Sequence, residues 1–203
     1  MTASAAPREF VLATHNAHKV VEFQEMLGRM LPGIRIIGYD GPEPDEDGQT
    51  FEANAMIKAL AAARHTGLPA LADDSGMCVD ILGGAPGIFS ARWAGADKSD
   101  AANRQKLLAD LADVPDDLRQ AYFQCTIAVV IPRVGDEDEV FTVEGRWPGV
   151  ITHSERGDNG FGYDPIFLPE GQSITAAEMH PSDKNAVSHR ARALAALAKK
   201  LGS

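Results

Sequence analysis

Positive charge is scarce in this 203-residue chain: 19 lysines and arginines stand against 29 aspartates and glutamates, a formal charge of −10 at pH 7. Such a chain repels a nucleic-acid backbone or an anionic lipid surface at long range, which argues against a non-specific DNA or RNA binder and against docking on anionic lipid. A locally basic pocket for a small phosphorylated ligand is not excluded. Cysteine is almost absent. Cys78 and Cys125 form no CxxC motif and lie among apolar neighbours, so they read as buried free thiols in a reducing cytoplasm rather than as a disulfide or metal pair. No run approaches the ~20 apolar residues of a membrane span. The segment from Met1 to Arg8 lacks the apolar core expected of a secretion leader. The phosphate-binding GxxxxGK[ST] and the dinucleotide fingerprint GxGxxG are both missing. Ser75 has Asp73 and Met77 where a GxSxG nucleophile needs glycines.

What is present suits a soluble globular protein: 44% of residues are hydrophobic. No repeat or low-complexity linker divides the chain, so residues 1–203 are expected to form a single domain. Phe10–Ala13 and Ile34–Ile37 read as short strands. Between them Val20, Phe23, Leu27, Met30 and Leu31 fall on one helical arc. A second helix is expected from Thr50 to His65, with its apolar arc at Ala53, Met56, Ile57, Leu60 and Ala63 and Phe51 off that arc. Strands are expected at Pro69–Ala72 and Cys78–Leu82, around a polar break from Asp73 to Gly76. A helix follows at Asp100–Leu111, then a central strand at Tyr122–Ile131 with an antiparallel neighbour at Glu139–Arg146. One closing helix is expected from Ser182 to Leu201, with a stripe of Val187, Ala191, Leu194, Ala198 and Leu201. The fold class is α/β with a mixed sheet.

Six constellations could carry chemistry. Thr14, His15, Asn16, Ala17, His18 and Lys19 link a strand to a helix. They read either as an anion site at a helix N-terminus or as an ordinary cap with Asn16 as the capping residue. Asp45, Glu46 and Asp47 form a solvated acidic loop or supply one carboxylate to a divalent metal. A calcium loop is discounted because Asn54 stands where its bidentate glutamate would be. Asn54 and Lys58, four apart on the helix, are a polar face or a phosphate contact. Asp73 and Asp74 are an aspartate turn, or a Mg²⁺-binding pair with a general base. Gly157–Pro165 is a turn with a core aromatic, or a place where Phe161 stacks a flat ring and Asp164 accepts from a ring N–H. Lys184, Ser188, His189 and Arg190 are a solvated helix start, or donors that read carbonyl oxygens.

In their order, these pieces resemble the inosine/xanthosine triphosphate pyrophosphatase family. The matching stretches are Leu12–Lys19, Thr50–Ala59, Ala72–Gly76, Leu82–Arg92, Trp147–Ile151, Gly160–Phe167 and Ser188–Arg190, so that the likeness runs from about Phe10 to Leu201. The resemblance implies an elongated mixed central sheet flanked by helices, with two lobes and an active-site cleft between them. It implies a homodimer, dependence on Mg²⁺ with Mn²⁺ as a substitute, and hydrolysis of ITP, dITP or XTP to the monophosphate and pyrophosphate. Carried over residue by residue, it makes Asp74 the general base and, with Glu46, a metal ligand, although a one-residue slip to Asp45 or Asp47 stays open. Thr14, His15, Asn16, Ala17, His18, Lys19 and Lys58 are expected on the triphosphate, and Ser75 on the substrate. Phe161 is expected on the purine face with Gly162, Tyr163 and Asp164 beside it, and Lys184, His189 and Arg190 at the base edge. Two rivals remain: a Maf-type nucleotide pyrophosphatase, not expected to carry the Ser188–Arg190 and Gly160–Asp164 stretches, and a non-catalytic nucleotide-binding regulator, disfavoured by the Asp73–Asp74 pair.

Overall fold

The computed structural model describes residues 8–97 and 99–202; the amino-terminal segment read above for a leader lies mostly outside them. The elements in order are β1 (Glu9–Leu12), α1 (Ala17–Met30), β2 (Arg35–Gly38), α2 (Phe51–Thr66), β3 (Ala70–Val79), α3 (Asp100–Asp110), β4 (Gln120–Ile131), β5 (Glu139–Ile151), β6 (Phe167–Pro169), α4 (Pro181–Val187) and α5 (His189–Leu201), with short 3₁₀ turns between some of them. The six strands are ordered β2-β1-β3-β4-β5-β6. β1 runs parallel to β2 and to β3, with Leu12 opposite Leu71, whereas β5 and β6 are antiparallel. The sheet is therefore mixed, as expected. Among the described residues no helix is long and apolar enough to cross a membrane.

The chain forms two compact units. One holds the residues up to Asp74, Cys125–Gly145 and the segment from Arg192; the other holds Ser75–Gln124 and Arg146–Ala191. Every crossing between them falls inside a regular element, in β3, β4, β5 or α5, which is why no linker is legible in the sequence.

In the first unit, strand alternation sorts the core into two layers. Phe10, Leu12, Leu71, Ile127 and Val129 meet Phe23 and Leu27 of α1 and Leu194 and Leu197 of α5. Val11, Ala70, Ala72, Ala128 and Val130 point the other way, onto α2. The buried face of α2 is Phe51, Ala55, Ala59, Ala62 and Ala63, with Asn54. This corrects the expected arc: Phe51 is inside, and Met56, Ile57 and Leu60 are only partly covered. Small side chains on both helix and sheet let the two approach closely, so here alanine rather than the larger apolar residues marks the contact. In the second unit, Phe123 stacks on Trp147 and meets Phe167 edge-on at 4.8 Å, and Leu107 and Leu111 pack in the same core.

Two further expectations are corrected. β3 is one strand that passes straight through Asp73–Gly76, not two strands around a break. Its carboxylates are tolerated because partners meet them, as described below. The closing helix is two helices. Ser188 has extended backbone (φ −62, ψ 164), ends α4, and accepts a hydrogen bond from Ala191 N–H at 3.3 Å, so it caps α5. Val187 is exposed as a result.

Candidate active site

In the first unit the site begins where β1 ends. Beyond Leu12 the backbone turns through Thr14, whose Oγ1 accepts from Asn16 N–H at 3.2 Å. Asn16 caps α1, accepting from His18 N–H at 3.0 Å and Lys19 N–H at 3.3 Å. The cap reading and the anion reading are thus compatible: the cap fixes the helix start, and the dipole end faces the same place. Ligands of open α/β sheets collect beyond the carboxyl ends of parallel strands, where this turn lies.

Lys19 Nζ reaches Asp73 Oδ1 on β3 at 2.5 Å, with the Asp73 side chain 2% exposed. The adjacent Asp74 is half-buried, and its Oδ2 accepts from Asn54 Nδ2 at 3.1 Å. Asn54, expected on a polar face opposite the apolar arc, is instead 3% exposed, and its Oδ1 is buried with no hydrogen-bond donor among the described residues. One turn on, Lys58 Nζ lies 3.2 Å from Glu46 Oε2. A cavity of about 210 Å³ is lined by Thr14, Lys19, Glu43, Glu46, Lys58 and Asp73, among others. Of Asp45, Glu46 and Asp47, Glu46 alone is in that lining, together with Glu43. His15 ties that loop down: Nε2 lies 2.9 Å from the Gly41 carbonyl oxygen and Nδ1 lies 3.2 Å from Glu43, while the ring stacks on Tyr39. Ala17 and His18 are exposed in the first turn of α1. Glu43 escaped the sequence reading as a site residue, because nothing local marks it off from the rest of an acidic stretch.

In the second unit Ser75 is half-buried on β3, immediately after Asp74. Phe161 is 65% exposed, an unusual position for a phenyl ring. Its N–H donates to Asp164 Oδ2 at 2.9 Å, and Lys184, whose Nζ lies 5.0 Å above the ring, pairs with that same carboxylate oxygen. Asp164 is thus buried as the anchor of its own loop. Gly162 adopts the left-handed conformation at φ +60. Tyr163 is buried and donates its hydroxyl to the Ser90 carbonyl at 2.8 Å; burial, and secondarily Asp100, push its pKa up, so it stays a neutral phenol. His189 stacks on Phe123 at 4.9 Å, and Arg190 follows it in the first turn of α5.

A mixed-sheet α/β protein is thereby defined, with a lysine–carboxylate cavity at the end of its parallel strands and, on its other unit, an exposed aromatic beside buried charge. The model of the Ham1 family matches residues 10–200, and the chain belongs to that family. It is 61% identical over 187 residues to a protein named dITP/XTP pyrophosphatase from Leifsonia xyli subsp. xyli, with 92% of each chain covered. A HAM1 protein structure from Coxiella burnetii superposes with a TM-score of 0.87 at 45% identity, covering 97% of this chain and 99% of that one. A structure named nucleoside-triphosphatase / dITP/XTP pyrophosphatase from Mycobacterium abscessus gives 0.79 at 47% identity, covering 93% and 98%.

Proposed function

We infer that this chain hydrolyses the non-standard purine triphosphates ITP, dITP and XTP between the α and β phosphates, releasing monophosphate and pyrophosphate and so cleansing the nucleotide pool. The observation that carries this reading is the charged cavity at the end of β1, in a chain that shares most of its length with relatives named for that reaction. Neither a Maf-type enzyme nor a non-catalytic regulator is favoured by these relatives.

The cavity lining sets two lysines against three carboxylates. Such a lining does not attract a polyanion by itself, so its residues fit a divalent cation that arrives with the phosphates. Glu46, in that lining, and Asp74, which follows the lining residue Asp73 but is not itself part of it, would offer the hard carboxylate oxygens that Mg²⁺ takes, one or two at a time beside phosphate oxygens, and Mn²⁺ uses the same donors. When bound, the cation offsets phosphate charge in the transition state.

Lys19, Lys58, Thr14 and Asn16, with His15, Ala17 and His18 at the start of α1, bind the triphosphate. Asp74 takes the proton of the water that attacks the α-phosphorus, and Asn54 fixes its carboxylate. In the other unit, Ser75 contacts the substrate and Phe161 stacks on the purine, its loop formed by Gly162, Tyr163 and Asp164. Lys184, His189 or Arg190 donates to the 6-oxo group. Adenine presents an amino donor there, and a donor left facing a donor supports discrimination of ~10⁴-fold in favourable sites. A cytoplasmic location belongs to the same proposal, supported by two buried cysteines that are not joined in a disulfide. The homodimer is carried by the family resemblance alone.

Asp74→Asn tests the assignment, since it keeps the shape and removes the proton acceptor. Nucleotide affinity is expected to stay within a few-fold while turnover falls by at least about 100-fold. Near-normal turnover contradicts the base assignment.

A further inference from the structure

The geometry assigns a role to Asp100 and Arg104 of α3: they are positioning residues that fix the Phe161 loop, and with it the surface on which the purine stacks. This rests on the proposed placement of the purine on Phe161.

The argument starts from what does not hold that ring. Phe161 is 65% exposed, so core packing does not orient it. Apart from the Lys184 ammonium over its face, its orientation is inherited from the backbone, and that backbone is glycine-rich, with Gly157, Gly160 and Gly162 all at positive φ. Glycine loses more conformational freedom on ordering than any other residue. A stacking surface built on such a loop is poorly oriented unless something outside it restrains it.

α3 supplies that restraint. Asp100 and Arg104 stand four apart, on one helix face. Asp100 Oδ2 accepts from Gly162 N–H at 2.7 Å, and Arg104 Nη1 donates to Gly162 O at 2.9 Å. One anion and one cation thus hold both polar groups of the same residue, directly after Phe161. The Arg104 side chain is only 15% exposed, and its other terminal nitrogen lies 3.0 Å from Glu155, which fixes the guanidinium. Both contacts to Gly162 are charge-assisted, the stronger kind. Within the loop, Asp164 holds Phe161 N–H. The ring is thereby held from both sides in sequence, and a helix replaces the packing that it lacks. This ordering lowers the entropy that purine binding would otherwise have to remove.

The test is a double-mutant cycle read by calorimetric titration with inosine monophosphate, so that it does not depend on turnover. Asp100→Ala is expected to weaken binding about tenfold, the loss of one charge-assisted hydrogen bond. Asp100→Asn keeps an acceptor and is expected to recover most of the affinity. In a Phe161→Ala background, Asp100→Ala is expected to cost less than about twofold, because the platform it orients is already gone. A full, multiplicative loss in the double variant overturns the inference, as does unchanged affinity in a folded Asp100→Ala protein. Should Asp100→Ala fail to fold, Arg104→Lys, which lacks the planar fork that reaches Gly162 O and Glu155 from two separate nitrogens, is expected to weaken binding about threefold; an unchanged value again overturns it. Parallel assay of wild-type dITP products separates the two ideas. Absent pyrophosphate release with intact, Asp100-dependent purine binding rejects the proposed reaction and keeps the positioning role. Wild-type protein that binds no purine nucleotide rejects both.

Discussion

Replacing Gly160 by alanine and, separately, Gly162 by alanine makes a matched pair of perturbations one residue either side of Phe161. Both glycines have positive φ, +78 and +60, so each alanine carries the left-handed penalty of roughly 1–2 kcal/mol. The surroundings differ. A Cβ at Gly162 meets nothing within 4 Å, whereas a Cβ at Gly160 falls 2.1 Å from Asp164 Oδ2. That oxygen accepts from Phe161 N–H and pairs with Lys184. Its displacement forfeits one or both of these bonds, at about 1.5–3 kcal/mol each for charged partners. Gly162→Ala is therefore expected to cost about 1–2 kcal/mol, and Gly160→Ala about 2.5–5 kcal/mol with one of these bonds lost and about 4–8 kcal/mol with both. Urea denaturation followed by circular dichroism, with equal m-values confirming comparable unfolding, measures both. Equal losses in the two variants would refute the account of Asp164 as the anchor of this loop.

Lys19→Met removes the cation from an almost fully buried Asp73, at a cost of about 3 kcal/mol, the lower end for breaking a buried pair because Lys19 is itself 23% exposed. Adding Asp73→Asn is expected to restore at least half of that in urea melts, and a loss below about 0.5 kcal/mol contradicts the pairing. The Cys78 thiol is pushed up to about 11, chiefly by burial, so little thiolate is present at pH 8. Iodoacetamide at pH 8 is expected to label native protein about 100-fold more slowly than protein in urea. Labelling should accelerate as pH rises toward 11, and rapid labelling at pH 8 would show that the thiol is accessible and reactive.

Local signals carried much of this fold. The caps at Asn16 and Thr50 act within three residues, so the starts of α1 and α2 were readable to within a residue. The mixed sheet was legible from the order of its segments. β3 was not, because Asp73–Gly76 looks like a turn until Lys19 and Asn54, both distant in sequence, are known to meet its carboxylates. The break at Ser188 was obscured by a hydrophobic stripe that continues in phase across it, although serine is a common cap. Of the site, the residue types were visible and their pairings were not. Lys58 with Glu46, His15 with Glu43 and Asp100 with Gly162 depend on which loops the fold brings together. The ordered motifs could identify the family because they sample many such pairings at once.

The central claim concerns which phosphoanhydride is cut. Purified protein incubated with dITP and Mg²⁺, with its products resolved by ion exchange, decides it. The account predicts dIMP and pyrophosphate, with dATP turned over far more slowly and EDTA abolishing the reaction. Release of dIDP and orthophosphate, or equal turnover of dATP, would contradict it.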